Sequence, residues 1–158
     1  MCGITGFISK TSFGLNLLEN MNDSISYRGP DSKGMFLEQY DDTYQIGLAH
    51  RRLAILDLSP LGHQPMLSDD QNVVIVFNGE IYNFKSIRLS LEAKGHIFKS
   101  YSDTEVILKA YQEYGIDFIQ HLNGMFAIAL YDKRTKDFYL IRDRLGVKPL
   151  YYLSLIHI

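Results

Sequence analysis

An uninterrupted apolar run, Val73 to Phe77, lies near the middle of the chain and limits the architectures that are open to it. Its five residues are β-branched or aromatic, which is typical of a strand that is buried on both faces or nearly so. Other layers of structure must pack against both faces of such a strand. The run therefore predicts a layered protein with a sheet in its interior.

The other strand and helix patterns occur in blocks and do not alternate regularly. A hairpin turn is predicted at 132–137, between two strands. This order favours an α+β protein with antiparallel sheets over a doubly wound fold. The predicted strands are 4–8, 34–38, 45–56, 73–77, 97–98, 125–131, 138–141 and 150–152, and the predicted helices are 15–26, 84–95, 102–115 and 118–122.

Two signals mark the ends of the third helix. Ser102 is expected to be its N-cap residue, and Glu105, three positions later, completes the pattern of a capping box. Gly115 is expected to end the helix.

Composition excludes several classes of function. A chain of 158 residues is long enough for one domain with a sizeable core. The net charge of −2 comes without a basic run, so nothing indicates a nucleic acid or a membrane as partner. No apolar run approaches the ~18–20 residues of a membrane span, and no signal-peptide pattern opens the chain. One cysteine and five scattered histidines fit a cytoplasmic protein without a metal site.

The single cysteine, Cys2, directly follows the initiator methionine. Removal of Met1 would leave one residue that carries both a thiol and a free α-amine. An α-amine titrates near ~7.7–8.0, so part of it is a free base at neutral pH and can take the proton of the thiol. That pair would be a nucleophile with its own general base. Position alone favours a simpler alternative, a small buried cysteine with a structural role.

The pair Asn78-Gly79 directly follows the apolar run and has two interpretations. Asn-Gly is the strongest short signal for a type I′ hairpin turn. Alternatively, the side-chain amide of Asn78 and the backbone N–H of Gly79 form an oxyanion hole, in which two donors stabilise a developing negative charge.

Four charged residues are compatible with a pocket for an amino acid. Successive side chains of a strand face opposite ways, so only one of Arg51 and Arg52 can point into a site. An arginine suits a substrate carboxylate, although a solvated surface pair explains the two arginines equally well. Asp103, in the first turn of a helix, is explained by the helix dipole alone. Taken together, Arg52 would hold an α-carboxylate while Glu80 and Asp103 hold an α-ammonium group.

Eight segments, taken together and in this order, resemble one family. The segments are CGI at 2–4, RGPDS at 28–32, HRRLAILD at 50–57, GHQP at 62–65, NGEIYN at 78–83, SDTEV at 102–106, NGMFA at 123–127 and RDRLG at 142–146. The chain resembles the class II glutamine amidotransferases, which are N-terminal nucleophile hydrolases. The resemblance is closest to the glutaminase domain of glutamine-hydrolysing asparagine synthetases.

The resemblance implies a fold and a reaction. The fold would be a four-layer αββα sandwich, with two antiparallel sheets between helices. Cys2 would attack the side-chain amide of L-glutamine and release ammonia, and water would hydrolyse the γ-glutamyl thioester. The catalytic residues would be Cys2, Asn78 and Gly79, and the substrate-binding residues Arg52, Leu53, Ile55, Glu80 and Asp103. No cofactor and no metal are implied for this half of the enzyme.

The resemblance also implies a partner domain. In the family, a C-terminal synthetase domain uses ATP and Mg to amidate aspartate, and its pyrophosphate-binding loop does not occur in this sequence. We expect a glutaminase domain over 1–152, truncated at its C-terminal end, an atypical tail over 153–158, and a homodimer as one option for the full-length enzyme. The open alternatives are another ammonia acceptor, an N-terminal nucleophile enzyme for a different amide, and a non-catalytic glutaminase-like binding or regulatory module.

Overall fold

Two antiparallel sheets form the centre of this computed structural model, which describes residues 2–154. The strands are β1 (Gly3–Ser9), β2 (Ser32–Gln39), β3 (Gln45–Arg52), β4 (Met66–Leu67), β5 (Val73–Ile81), β6 (Gly124–Asp132) and β7 (Asp137–Arg142). One sheet has the strand order β1-β3-β2 and the other the order β4-β5-β6-β7. The α-helices are α1 (Leu15–Ser24), α2 (Phe84–Ala93) and α3 (Asp103–Tyr114), and short 3-10 helices lie at Ser26–Arg28, Pro60–Gly62 and Gly115–His121.

The layers follow from which face of each strand is apolar. Helix α1 packs on the outer face of the three-stranded sheet, and α2 and α3 cover the outer face of the four-stranded sheet. The two inner faces pack against each other. The buried residues between them are Ile46, Leu48, Val74, Val76, Ala129 and Tyr131. The predicted α+β sandwich with its four αββα layers is confirmed.

The apolar run behaves as its composition predicts. Val74 and Val76 face the other sheet, whereas Val73, Ile75 and Phe77 face the helices. All five side chains are buried. Because both faces of β5 are covered, every position in the run must be apolar.

The interpretation of Asn78-Gly79 as a hairpin turn is wrong. β5 continues through both residues to Ile81, and its register with β6 is unbroken, with Asn78 opposite Ala127. The long pairing with β6 outweighs the local preference of the dipeptide for a turn. Gly79 is required for a different reason, because a Cβ atom there would collide with the carbonyl oxygen of Met125.

Three other predicted elements differ from the structure. Strand β3 ends at Arg52 and does not reach residue 56, because the carboxylate of Asp31 takes the N–H of Ala54. Residues 97–98 form no strand, and neither do residues 150–152. The predicted tail at 153–158 lies partly outside the described residues, and the predicted domain boundary at 152 stays a prediction.

The signals at the ends of α3 are confirmed in part. Ser102 caps the helix, since its hydroxyl accepts the N–H of Thr104 at 3.1 Å, and Gly115 ends it with φ at +58°. The capping box is wrong, because Glu105 does not reach back to Ser102. Its carboxylate accepts the backbone N–H groups of residues 99 and 100 in the preceding loop. Glu105 therefore fixes that loop, which has no strand partner. In the described part of the chain, no helix has the length and apolarity to cross a membrane.

Candidate active site

The inner faces of the two sheets change from apolar to polar towards one end of the sandwich. On β3, the row that begins with Ile46 and Leu48 continues with His50 and Arg52. On β5, the row that begins with Val74 and Val76 continues with Asn78 and Glu80. A cavity of about 120 Å³ lies at this polar end. All eight predicted site residues line it, namely Cys2, Arg52, Leu53, Ile55, Asn78, Gly79, Glu80 and Asp103.

Cys2 directly precedes β1 and is half-buried at the cavity. Its Sγ atom lies 3.4 Å from the backbone N of Leu53, which donates to it, and 3.6 Å from the carbonyl oxygen of Leu53. The carbonyl oxygen of Cys2 accepts from Nε of Arg28 at 3.4 Å. The thiol is therefore held at the first residue after β3, beside Arg52. Met1 lies outside the described residues, so its removal stays a prediction.

The backbone N–H of Gly79 points away from β6. Gly79 lies opposite Phe126. On the side that faces away from β5, the N–H of Phe126 donates to Oδ2 of Asp143 at 3.2 Å, and the carbonyl oxygen of Phe126 accepts the N–H of Asp143 at 2.9 Å. Gly79 and Phe126 are thus a pair without ladder hydrogen bonds. The N–H of Gly79 must then point away from β6, on the opposite edge of β5.

The neighbouring N–H groups on that edge both have side-chain acceptors. Oε1 of Gln64 accepts the N–H of Phe77 at 2.6 Å, and Oδ2 of Asp103 accepts the N–H of Ile81 at 3.2 Å. Between them, the N–H of Gly79 finds no side-chain or loop acceptor among residues 2–154 and lies at the cavity. It is a preorganised donor for a negatively charged oxygen.

Asn78 supplies a second donor. Its side chain is 5% exposed and points from β5 towards the other sheet, in line with Val74 and Val76. The amide makes no hydrogen bond within the described chain, and it lines the cavity that contains Cys2. Two adjacent unpaired donors therefore face the same space as the thiol.

The two adjacent arginines separate as the strand alternation predicts. Arg51 faces α1, where it donates to the carbonyl oxygen of Asn22 at 3.0 Å and pairs with Asp23. Arg52 faces the cavity and donates to the carbonyl oxygens of Asp57 and Ser59, the latter at 2.9 Å. No carboxylate of residues 2–154 forms an ion pair with Arg52. Its orientation is fixed by backbone oxygens while its charge stays available to an anion.

Two carboxylates line the same cavity. Asp103, at the first position of α3, is 6% exposed, and burial raises its pKa from the ordinary 3.8 to about 6. The charge of Glu80, which is exposed, contributes to the same rise of the pKa. A bound cation would stabilise the ionised form of such a buried carboxyl group. The cavity thus contains the guanidinium of Arg52 and the two acids Asp103 and Glu80.

Comparison with known proteins identifies the family. The sequence profile of the glutamine amidotransferase domain matches residues 1–157. This chain belongs to the glutamine amidotransferase domain family. The predicted class, a class II glutamine amidotransferase and hence an enzyme, is confirmed.

The relatives of this amidotransferase domain are longer proteins. Asparagine synthetase [glutamine-hydrolyzing] 2 of Bacillus subtilis is 45% identical over 162 residues, which cover 99% of this chain and 21% of that protein. The putative asparagine synthetase [glutamine-hydrolyzing] 2 of Methanocaldococcus jannaschii is 43% identical, with 96% of this chain and 32% of that protein covered. The chain thus spans about a fifth to a third of the curated relatives it matches.

A solved structure supports the fold of the amidotransferase domain. The glutamine phosphoribosylpyrophosphate amidotransferase of B. subtilis superimposes with a TM-score of 0.75 at 18% identity. The match covers 92% of this chain and 38% of that chain. At this identity the likeness concerns the fold, and the chemistry is argued from the cavity.

The amidotransferase cavity also contains residues that sequence reasoning missed. Lys148 is buried at the cavity, and its backbone N–H is held by Oδ2 of Asp143 at 2.9 Å. Asp57 accepts the N–H groups of Ser59, at 2.8 Å, and Tyr101, at 2.9 Å, and so connects the Arg52 loop to the start of α3. These residues lie in or near the family-like segments, but only the folded loops show where they point.

Proposed function

We propose that this chain is the glutaminase domain of a glutamine-hydrolysing asparagine synthetase. It converts L-glutamine into L-glutamate and ammonia, and a C-terminal synthetase domain uses the ammonia to amidate aspartate with ATP. The observation that carries the proposal is the unpaired N–H of Gly79 beside the amide of Asn78, in the cavity that contains Cys2. The synthetase half of the proposal is supported by the named relatives, which are longer than this chain.

Glutamine is oriented by its α-groups. Its carboxylate binds the guanidinium of Arg52, and its ammonium group binds Asp103 and Glu80. Leu53 lies beside the thiol, and Ile55, which is exposed, borders the cavity mouth. These contacts direct the side-chain amide towards Cys2, which makes the attack intramolecular in effect.

The reaction is acyl transfer through the thiol. After removal of Met1, the α-amine of Cys2 takes the thiol proton as Sγ bonds to the amide carbon, and the carbonyl electron pair moves onto oxygen. Asn78 and Gly79 stabilise that oxyanion. The amine returns the proton to nitrogen, the C–N bond breaks and ammonia leaves. Water then attacks the thioester, which releases glutamate and regenerates the thiol.

The proposed step uses side-chain and backbone groups of this chain alone. ATP and Mg²⁺ belong, in the proposal, to the synthetase domain. A cytoplasmic location, which the single cysteine favours, and a homodimeric full-length enzyme, which the family resemblance implies, are part of the same proposal.

Mass spectrometry before and after treatment with a diazo-ketone analogue of glutamine tests the proposal. We expect a chain that has lost Met1 and carries one adduct on Cys2, with no adduct on the Cys2→Ala variant. Ammonia release from glutamine should accompany labelling. A well-folded protein that retains Met1 or takes up no label would contradict the proposal and would point to a non-catalytic binding module.

The adjacent arginines provide a matched pair of variants for the substrate carboxylate. Arg52→Gln is expected to raise the KM for glutamine about 30-fold, because losing one partner of a hydrogen-bonded charge pair costs roughly 2 kcal/mol or more. Arg51→Gln removes the ion pair with Asp23 and the bond to the carbonyl oxygen of Asn22, both on the α1 side, and should leave KM unchanged. Steady-state kinetics of the two variants decide the assignment, and equal effects on KM would refute it.

A further inference from the structure

The backbone of Phe77, directly before the two oxyanion donors, is held by two buried side chains. Nε2 of His50 lies 3.1 Å from the carbonyl oxygen of Phe77, and Oε1 of Gln64 accepts the Phe77 N–H at 2.6 Å. Neither bond belongs to a β ladder. β4 pairs with β5 only as far as Ile75, so these side chains replace a strand at the position where the ladder ends.

His50 makes this bond at a cost. It is completely buried between the sheets, and burial lowers the pKa of its imidazole to about 4, so the ring is neutral at neutral pH. Because a carbonyl oxygen can only accept, Nε2 must carry the proton. Nδ1 is then a buried acceptor that has no donor in the described chain. An apolar side chain would avoid that unpaired atom, so the bond to Phe77 is what the imidazole contributes here.

Gln64 extends the contact to the substrate-binding helix. Its Nε2 donates to Oγ1 of Thr104 at 3.1 Å, and Thr104 directly follows Asp103 at the start of α3. Gln64 is 5% exposed, and both ends of its amide are bonded. A continuous set of contacts therefore runs from β3 through the backbone of Phe77 and the side chain of Gln64 to α3.

We propose that His50 and Gln64 are positioning residues for the oxyanion hole, an inference that rests on the proposed glutamine hydrolysis. Cys2 is placed by β1 and β3, whereas Asn78 and Gly79 are placed by β5. The bond from His50 connects these two sheets one residue before the donors. It sets the separation between the nucleophile and the oxyanion donors, and errors of about 1 Å in such separations are costly to catalysis.

The test compares His50→Leu, which lacks the donor, with His50→Gln, whose amide reaches about as far. The ligands are an aldehyde analogue of glutamine and L-norvaline. Sγ of Cys2 adds to the aldehyde carbon and the thiol proton moves to its oxygen, which occupies the oxyanion hole. Norvaline has the same α-groups and an apolar side chain without a carbonyl, so it does not use the oxyanion hole. We expect His50→Leu to weaken aldehyde inhibition about 10- to 100-fold with norvaline inhibition within about threefold of wild type, and His50→Gln to restore the aldehyde affinity.

A second readout does not depend on activity. Hydrogen exchange of the Asn78 amide is expected to accelerate at least about tenfold in His50→Leu relative to that of Ala129 on β6, because the end of β5 loses its attachment to β3. Ile46→Val, on the same face of β3, changes packing without touching Phe77 and should leave this ratio unchanged.

The outcomes separate the two proposals. Unchanged exchange at Asn78 in His50→Leu overturns the positioning role, whatever the activity of the wild type. A wild-type chain that binds the aldehyde, with His50→Leu binding it equally well, also overturns it. A wild-type chain that neither hydrolyses glutamine nor binds the aldehyde refutes the proposed function, and the exchange ratio then still decides whether His50 fixes β5.

Discussion

Replacing Cys2 by alanine is expected to lower kcat for glutamine hydrolysis by at least about 10⁴-fold, because the covalent route through the thioester is lost. The other site groups stay in place, since within residues 2–154 the thiol forms hydrogen bonds with the backbone of Leu53 alone and precedes β1. Ammonia release in a coupled assay measures the loss.

Binding measurements distinguish this loss of chemistry from a loss of folding. The Cys2→Ala variant should bind glutamine with a Kd within about threefold of the wild-type KM, because Arg52 and Asp103 recognise the α-groups independently of the thiol. It should also keep the melting temperature of the wild type. A variant that retains more than a few per cent of the wild-type rate would show that water attacks the amide directly, and Cys2 would then not be the nucleophile.

Much of the site could be predicted because strands impose a period of two. The alternation along β3 allows only one of two identical side chains to enter the cavity, and in the structure Arg52 does so while Arg51 pairs with Asp23. The same rule explains why Val73 to Phe77 must be entirely apolar. These inferences need only local geometry, which a short stretch of sequence determines.

Features that depend on register could not be predicted in this way. Asn78-Gly79 is a turn signal locally, and only the unbroken pairing with β6 makes it part of a strand. Whether the N–H of Gly79 faces a neighbour or the cavity depends on which residue lies opposite it. The bonds of Gln64 and His50 to Phe77 join residues 13 and 27 positions apart, and no periodicity in the sequence indicates them.

Asp103 shows how a structural and a functional explanation of one residue can be separated. A carboxylate in the first turn of a helix is stabilised by the helix dipole. Here, however, burial outweighs that effect and raises the pKa to about 6, so the ionised side chain destabilises the fold at neutral pH. A residue that lowers stability where it stands is better explained by the cation it binds.

Asp103→Asn is therefore expected to stabilise the protein while it impairs substrate binding. A carboxyl with an ordinary pKa of 3.8 and a folded-state value of about 6 costs up to about 3 kcal/mol when ionised. The raised pKa already includes the favourable hydrogen bonds of the carboxylate to backbone N–H groups, and the asparagine oxygen can still accept the N–H of Ile81. We therefore expect the free energy of unfolding to rise by up to about 3 kcal/mol at pH 7, measured by urea denaturation.

The difference in stability between Asp103→Asn and the wild type should depend on pH. Below about pH 4 the carboxyl of Asp103 is protonated in the folded and the unfolded chain, so the variant and the wild type should be equally stable with respect to this group. As the pH rises from 4 to 6, the folded chain holds the proton more tightly than the unfolded chain, and the wild type loses stability relative to the variant. Above about pH 6 the difference should be constant.

Catalysis should change in the opposite direction. Without the charge that holds the substrate ammonium, the KM for glutamine is expected to rise about 10²- to 10³-fold, the effect of removing one partner of a buried charge pair. In the wild type, kcat/KM should fall as the pH drops below about 6 and Asp103 takes up a proton, and the variant should lack this limb. A variant that is less stable than the wild type at pH 7, with KM within fivefold, would assign Asp103 to the helix alone. A more stable protein that binds glutamine poorly would place its carboxylate in the substrate pocket.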